Sequence, residues 1–121
     1  MSYTSFEYSD IQLSKLKLKG NETLKAYITL TNSGKTEGEE IVQLYIQDTE
    51  ASVSRPVKEL KNFRKVMLQP GEKKEISFNI TTSDLMFYNS DLKYDWESGN
   101  FIIYIGTNSR DVKSAKVNWV K

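Results

Sequence analysis

Asp95 and Trp96 stand side by side in the segment LKYDW, an acid next to an aromatic ring and so a pair able to flank a sugar. The chain contains no histidine and no cysteine, which removes Ser-His-Asp catalysis, thiol nucleophiles, disulfides and the usual metal ligands together. Carboxylates are what remains. Two acids about 5 to 10 Å apart can hydrolyse a glycosidic bond without histidine, and 16 Asp and Glu residues offer many pairs. Most of them lie in turns, as Glu37, Glu39 and Glu40 do, or alternate outward along strands, as Glu75 does. A catalytic acid needs a pocket that perturbs its pKa, so a solvated surface is the better reading, with Trp96 filling a core at a strand end. No catalytic residue is assigned. Tyr3, Tyr8, Tyr45, Tyr88, Tyr94 and Tyr104 are candidates for an aromatic platform that would hold a polysaccharide, although tyrosines are common on sheet faces in any case. The acids of EGEE and NSDLKYD lack the spacing and closing Glu of a calcium loop, so neither metal nor cofactor is expected.

The elements that would position these side chains are short runs of alternating apolar and polar residues, bounded by Gly, Asn, Ser and Pro. In LKAYITL, Leu24, Ala26, Ile28 and Leu30 share one face; in Ile41 to Gln47, Val42, Leu44 and Ile46 do, while Ile41, Gln43 and Tyr45 leave the other face partly apolar, which suits a central strand. KKEISFNI, FIIYIG and AKVNWVK continue the pattern through Ile76, Phe78, Ile80, Phe101, Ile103, Ile105, Val117 and Trp119. TNSGKTEGEE and the Pro70 and Gly71 pair predict reversals, and Thr82 or Ser83 is placed to cap a helical turn over 84–87 within a sheet-to-sheet crossover. Near the N-terminus the apolar phase slips between Tyr8 and Ile11, predicting a bulge or a sheet switch at Ser9 and Asp10. Seven to nine short strands with almost no helix predict an all-β fold, a two-sheet antiparallel sandwich of immunoglobulin-like or fibronectin type III-like kind, with residues 1–121 as a single domain.

Composition narrows the function classes. Seventeen basic side chains balance 16 acidic ones at a net charge of +1, without the basic excess of a nucleic-acid binder. The apolar runs fall far short of the roughly 20 residues that span a bilayer as a helix, and no signal-peptide pattern precedes Ser2. Neither a nucleic acid nor a membrane is expected as partner, and the compartment stays open.

One segment stands apart. ASVSRPVKELKNF interrupts two strands with Arg55, Pro56, Val57, Lys58, Glu59, Leu60 and Phe63, a proline-stiffened mixture of charges and apolar anchors. Together with TNSGKTEGEEIVQLYIQD, LQPGE, FYN and GTNSRD, it closely resembles the C-terminal fibronectin type III-like domain of glycoside hydrolase family 3, the β-glucosidase and β-xylosidase family. The resemblance runs from Ser2 to about Val120 and implies a noncatalytic accessory domain that packs on and stabilises the catalytic domains of its parent enzyme. The nucleophile and acid/base of that family sit in those other domains, and YDW at 94–96 matches its nucleophile signature only superficially, having Tyr at 94. With Met1 standing directly before Ser2, the chain is expected to be an excised domain. Arg55, Pro56, Val57, Lys58, Glu59, Leu60 and Phe63 are then the expected inter-domain contacts, with both the apolar anchors and the charges unusually exposed. The alternative function is a carbohydrate- or cell-wall-polymer-binding module that tethers the enzyme to substrate.

Overall fold

A computed structural model describes residues 5–49, 59–88, 94–107 and 112–121. Through them run β1 (Phe6–Tyr8), β2 (Gln12–Leu13), β3 (Lys17–Lys19), β4 (Leu24–Asn32), β5 (Gly38–Asp48), β6 (Glu59–Leu68), β7 (Lys73–Ile80), a 3-10 turn (Thr82–Leu85), β8 (Phe87–Tyr88), β9 (Tyr94–Asp95), β10 (Gly99–Gly106) and β11 (Val112–Val120). Three of these strands, β2, β8 and β9, are only two residues long. The chain is thus an all-β sandwich. One sheet is built on β4, with β1 and β2 along one side and β7 along the other; the second runs β3-β11-β10-β5-β6. β8 and β9 form a separate small ladder at the crossover.

The alternation read from the sequence is what fills the space between the sheets. Leu24, Ala26, Ile28 and Leu30 of β4 face Val42, Leu44 and Ile46 of β5 and Phe101, Ile103 and Ile105 of β10, all buried in one core with Ile76, Phe78, Ile80, Val117 and Trp119. Burying each large apolar side chain contributes about 1.5 to 3 kcal/mol, so a strand slipped by one residue would forfeit the whole face. Trp96 is buried as well, edge-on to Trp119 at 6.3 Å.

The phase slip near the N-terminus is a bulge. Tyr8 pairs with Leu30 and Gln12 with Tyr27, so β1 and β2 lie on the same strand with one extra residue between them. Ser9 fills the gap: its Oγ accepts the Thr29 amide at 2.8 Å while its own amide donates to the Thr29 carbonyl. The sheet switch comes later, after Leu13, where the chain crosses to β3. There the fold departs from a purely antiparallel sandwich, because β3 enters at the sheet edge running parallel to β11. The indole N–H of Trp119 locks that junction by donating to the Gly20 carbonyl at 3.0 Å.

The reversal TNSGKTEGEE also carries the chain between sheets, and its device is a buried side chain. Asn32, fully buried, donates from Nδ2 to the carbonyls of Thr36 (2.9 Å) and Leu68 (3.0 Å), and its Oδ1 accepts the Gly34 amide (3.0 Å). At the Pro70 and Gly71 turn, Gly71 adopts φ +79°, a left-handed conformation that glycine reaches without steric cost. The 3-10 turn begins earlier than the expected 84–87: the Thr81 amide donates to the Asp84 carboxylate at 2.9 Å.

Candidate docking face

β6 is an edge strand, and its burial pattern shows where the alternation stops serving the core. Val66 and Leu68 point inward and are buried, yet Met67, Phe63 and Leu60 are large, apolar and exposed. Residues paired across a ladder share one side of a sheet. Met67 pairs with Glu39, Lys65 with Ile41, Phe63 with Gln43 and Leu60 with Tyr45, which places all eight on the outer surface of the five-stranded sheet. Leu60 and Phe63 are three residues apart and would ordinarily face opposite sides. A β-bulge solves this: the register shifts between Leu44 and Tyr45, Lys61 becomes the extra residue, and Leu60 joins the side of Phe63. Lys61 then reaches Glu59, Nζ to Oε2 at 3.1 Å.

The result is an apolar cluster rather than scattered exposure. Six large hydrophobic residues are exposed among the described residues, and Ile41 (40%), Leu60 (52%), Phe63 (57%) and Met67 (48%) all belong to this face. Grouped exposure of this kind marks an interaction surface more often than isolated exposed apolar residues do.

Of the residues singled out in the sequence, Leu60 and Phe63 are exposed on this face, and Glu59 is half-buried in its ion pair with Lys61. Arg55, Pro56, Val57 and Lys58 lie outside the described residues. Ile41 and Met67 were not among the expected contacts. Their signal was in the sequence, since Met67 repeats the outward phase of Phe63 and Lys65, but only the ladder shows that Ile41 adjoins them.

The other candidates separate. Asp95 is half-exposed and paired with Lys121, Nζ to Oδ2 at 2.6 Å; that bond, joined by one from the Trp96 amide, holds its carboxyl below the ordinary value. Tyr45 and Tyr104 are direct cross-strand partners on the outer face, their hydroxyls donating to Gln43 and Gln47. Tyr8 belongs to the opposite sheet and donates to Glu40 at 3.0 Å. Tyr88 pairs with Tyr94 in the small ladder; Tyr3 lies outside the described residues. Among the described residues, no three acids gather as a metal site and no helix is long and apolar enough to cross a membrane.

Comparison with known proteins agrees with the fold and with the resemblance. The chain is 46% identical over 123 residues to thermostable beta-glucosidase B of Acetivibrio thermocellus, a match covering 98% of this chain but 16% of that protein. The crystal structure of a beta-glucosidase from Listeria innocua in complex with glucose superposes with a TM-score of 0.92 at 40% identity, over 100% of this chain and 17% of that one. A GH3 beta-glucosidase from Bifidobacterium adolescentis matches with a TM-score of 0.86 and 31% identity, over 98% of this chain and 18% of that one. The chain therefore spans only about a sixth of the length of the proteins it matches. A model of the fibronectin type III-like domain matches residues 40–109, and the chain belongs to that family.

Proposed function

We propose that this chain is a noncatalytic accessory domain of a β-glucosidase-type glycoside hydrolase of family 3, packing on the catalytic domains of its parent through the outer face of β5 and β6. The observation that carries this reading is the grouping of Ile41, Leu60, Phe63 and Met67 on one exposed sheet face. Its support is the length of the relatives, whose other five-sixths offers a partner surface within the same polypeptide. Arg55, Pro56, Val57, Lys58 and Glu59, directly before Leu60, would extend the contact, with the charged ones forming the polar rim that surrounds an apolar interface core.

The test is Phe63→Ala made both in a full-length parent enzyme and in the 121-residue chain. In the parent, loss of a buried phenyl ring lowers stability by about 2 to 3 kcal/mol; in the isolated chain the change stays within about 0.5 kcal/mol because the ring is already in water. Equal destabilisation in the two would mean that the ring serves this domain's own fold. Turnover of an aryl β-glucoside by the isolated chain, above a blank, would overturn the noncatalytic assignment.

A further inference from the structure

Charge is unevenly spread over the outer surface of the five-stranded sheet. Residues paired across a ladder share a side, so Lys17 and Lys19 of β3, opposite Asn118 and Val120, and Lys116 of β11, opposite Ile102, stand on the same surface as Lys65 of β6. All four lysines are exposed, and none joins an ion pair among the described residues. Among those residues the one acid at an outward ladder position of this sheet is Glu39, opposite Met67. Elsewhere the two signs are mixed. On the outer surface of the other sheet Lys25 pairs with Glu75 at 3.4 Å, and Lys73 and Glu7 both adjoin Thr31. Beside β1, Lys113 lines a cleft with Glu7 and Glu40. A chain with 17 basic and 16 acidic residues has thus gathered unpaired lysines on one surface, a segregation that its net charge hides.

The sandwich itself gains nothing from this arrangement. Lys17 and Lys19 are two residues apart on one strand, about 7 Å, and Lys116 lies on the strand beside them, so the three charges repel. Lysines on an edge strand do discourage unwanted pairing, which accounts for Lys17 and Lys19 but not for Lys116, on the inner strand β11. The apolar residues Ile41, Phe63 and Met67 occupy the other side of the same surface. Four strand spacings of about 4.8 Å put β3 about 19 Å from β6, within the roughly 28 Å breadth of an 800 Å² protein contact. One partner surface can therefore cover both. We infer that the docking face extends across the whole five-stranded sheet and that the surface it meets is acidic, with carboxylates of the parent's other domains lying against Lys17, Lys19 and Lys116. This inference rests on the docking reading and names the chemistry of its partner: apolar where it meets β6, anionic where it meets β3 and β11. Such opposed charges fix the register of the contact and exclude a wrong orientation.

The test is amine-reactive labelling, read by mass spectrometry, of a full-length parent enzyme and of the 121-residue chain. Lys17, Lys19 and Lys116 should react about tenfold more slowly in the parent, equivalent to an opening cost of 1.4 kcal/mol, while Lys25 and Lys73 on the opposite surface react alike in both. A zero-length carbodiimide, which joins a lysine to a touching carboxylate as an amide with loss of water, should then link Lys17, Lys19 or Lys116 to an Asp or Glu of the parent outside these 121 residues. Equal labelling of the three lysines in the two proteins overturns the inference and leaves them as solvated charges. Slower labelling without such a cross-link overturns the acidic partner. Phe63→Ala tells the two readings apart: destabilisation confined to the parent, with the lysines unprotected, overturns this inference alone, whereas no difference at Phe63 or at the lysines overturns both.

Discussion

At the scale of single residues, the side chains with the most structural consequence are polar ones tied to particular partners. Asn32 holds two carbonyls and one amide at the crossing between sheets. Asn32→Ala would leave the buried Leu68 carbonyl without this donor, and a lost stability of about 2 to 4 kcal/mol in urea unfolding is expected, since each stranded buried group costs about 1 to 3 kcal/mol. Tyr8 gives a pH signature. Burial first, then the Glu40 charge and the hydrogen bond to it, raise its pKa above the ordinary 10.0. The folded state therefore keeps this proton where the unfolded chain loses it, so the contribution is fully present below pH 10.0 and drains away as pH rises beyond it. Tyr8→Phe should lower stability at neutral pH by about 1.5 kcal/mol and flatten the alkaline fall of the melting temperature; an unchanged alkaline profile would assign that fall to other tyrosines. The carboxyls of Asp95 and Glu22 are held below their ordinary values by Lys121 and Lys15, but both ion pairs are open to solvent, so their loss on acidification weakens the fold only slightly.

At the scale of elements, the edge strand β6 serves two purposes along its length. Its C-terminal end supplies Val66 and Leu68 to the core, with the Arg64 guanidinium lying 5.3 Å from the centre of the Phe78 ring, whereas the bulge at Lys61 turns Leu60 and Phe63 outward together. Exposed apolar residues on an edge strand promote association. The double variant Phe63→Ser with Met67→Ser is therefore expected to raise the solubility limit of the isolated chain, measured by light scattering, while its denaturation midpoint stays nearly fixed. Most of the alternation behind these elements was legible: every inward residue expected on β4, β5, β7 and β10 is buried. The bulge at Ser9 was legible as a phase slip. The one at Lys61 was not, because Leu60 and Phe63 make sense on one side only once β5 supplies their partners.

At the scale of the whole molecule, the exposed apolar face of β5 and β6 and the cleft beside β1 sit on different parts of the sandwich, one on an outer sheet surface and one at an open end. If the outer face is covered in the parent enzyme, hydrogen exchange will show it: amides of β6 should exchange more slowly in a full-length relative than in the isolated chain, while those of β4, inside its own sheet, should match. Equal protection of β6 in both would leave the face open to solvent in the parent.

The sequence by itself determined which side chains face inward and that no histidine or cysteine chemistry is available. These are local properties, set by a period of two residues and by composition. Only the tertiary structure decided the neighbours. Pairing β3 parallel to β11, setting Ile41 beside Phe63 and bringing Glu40 and Lys113 to one cleft all depend on contacts between residues far apart in the chain. Alternation fixes a side but not a partner, and partners are chosen by how the two sheets close.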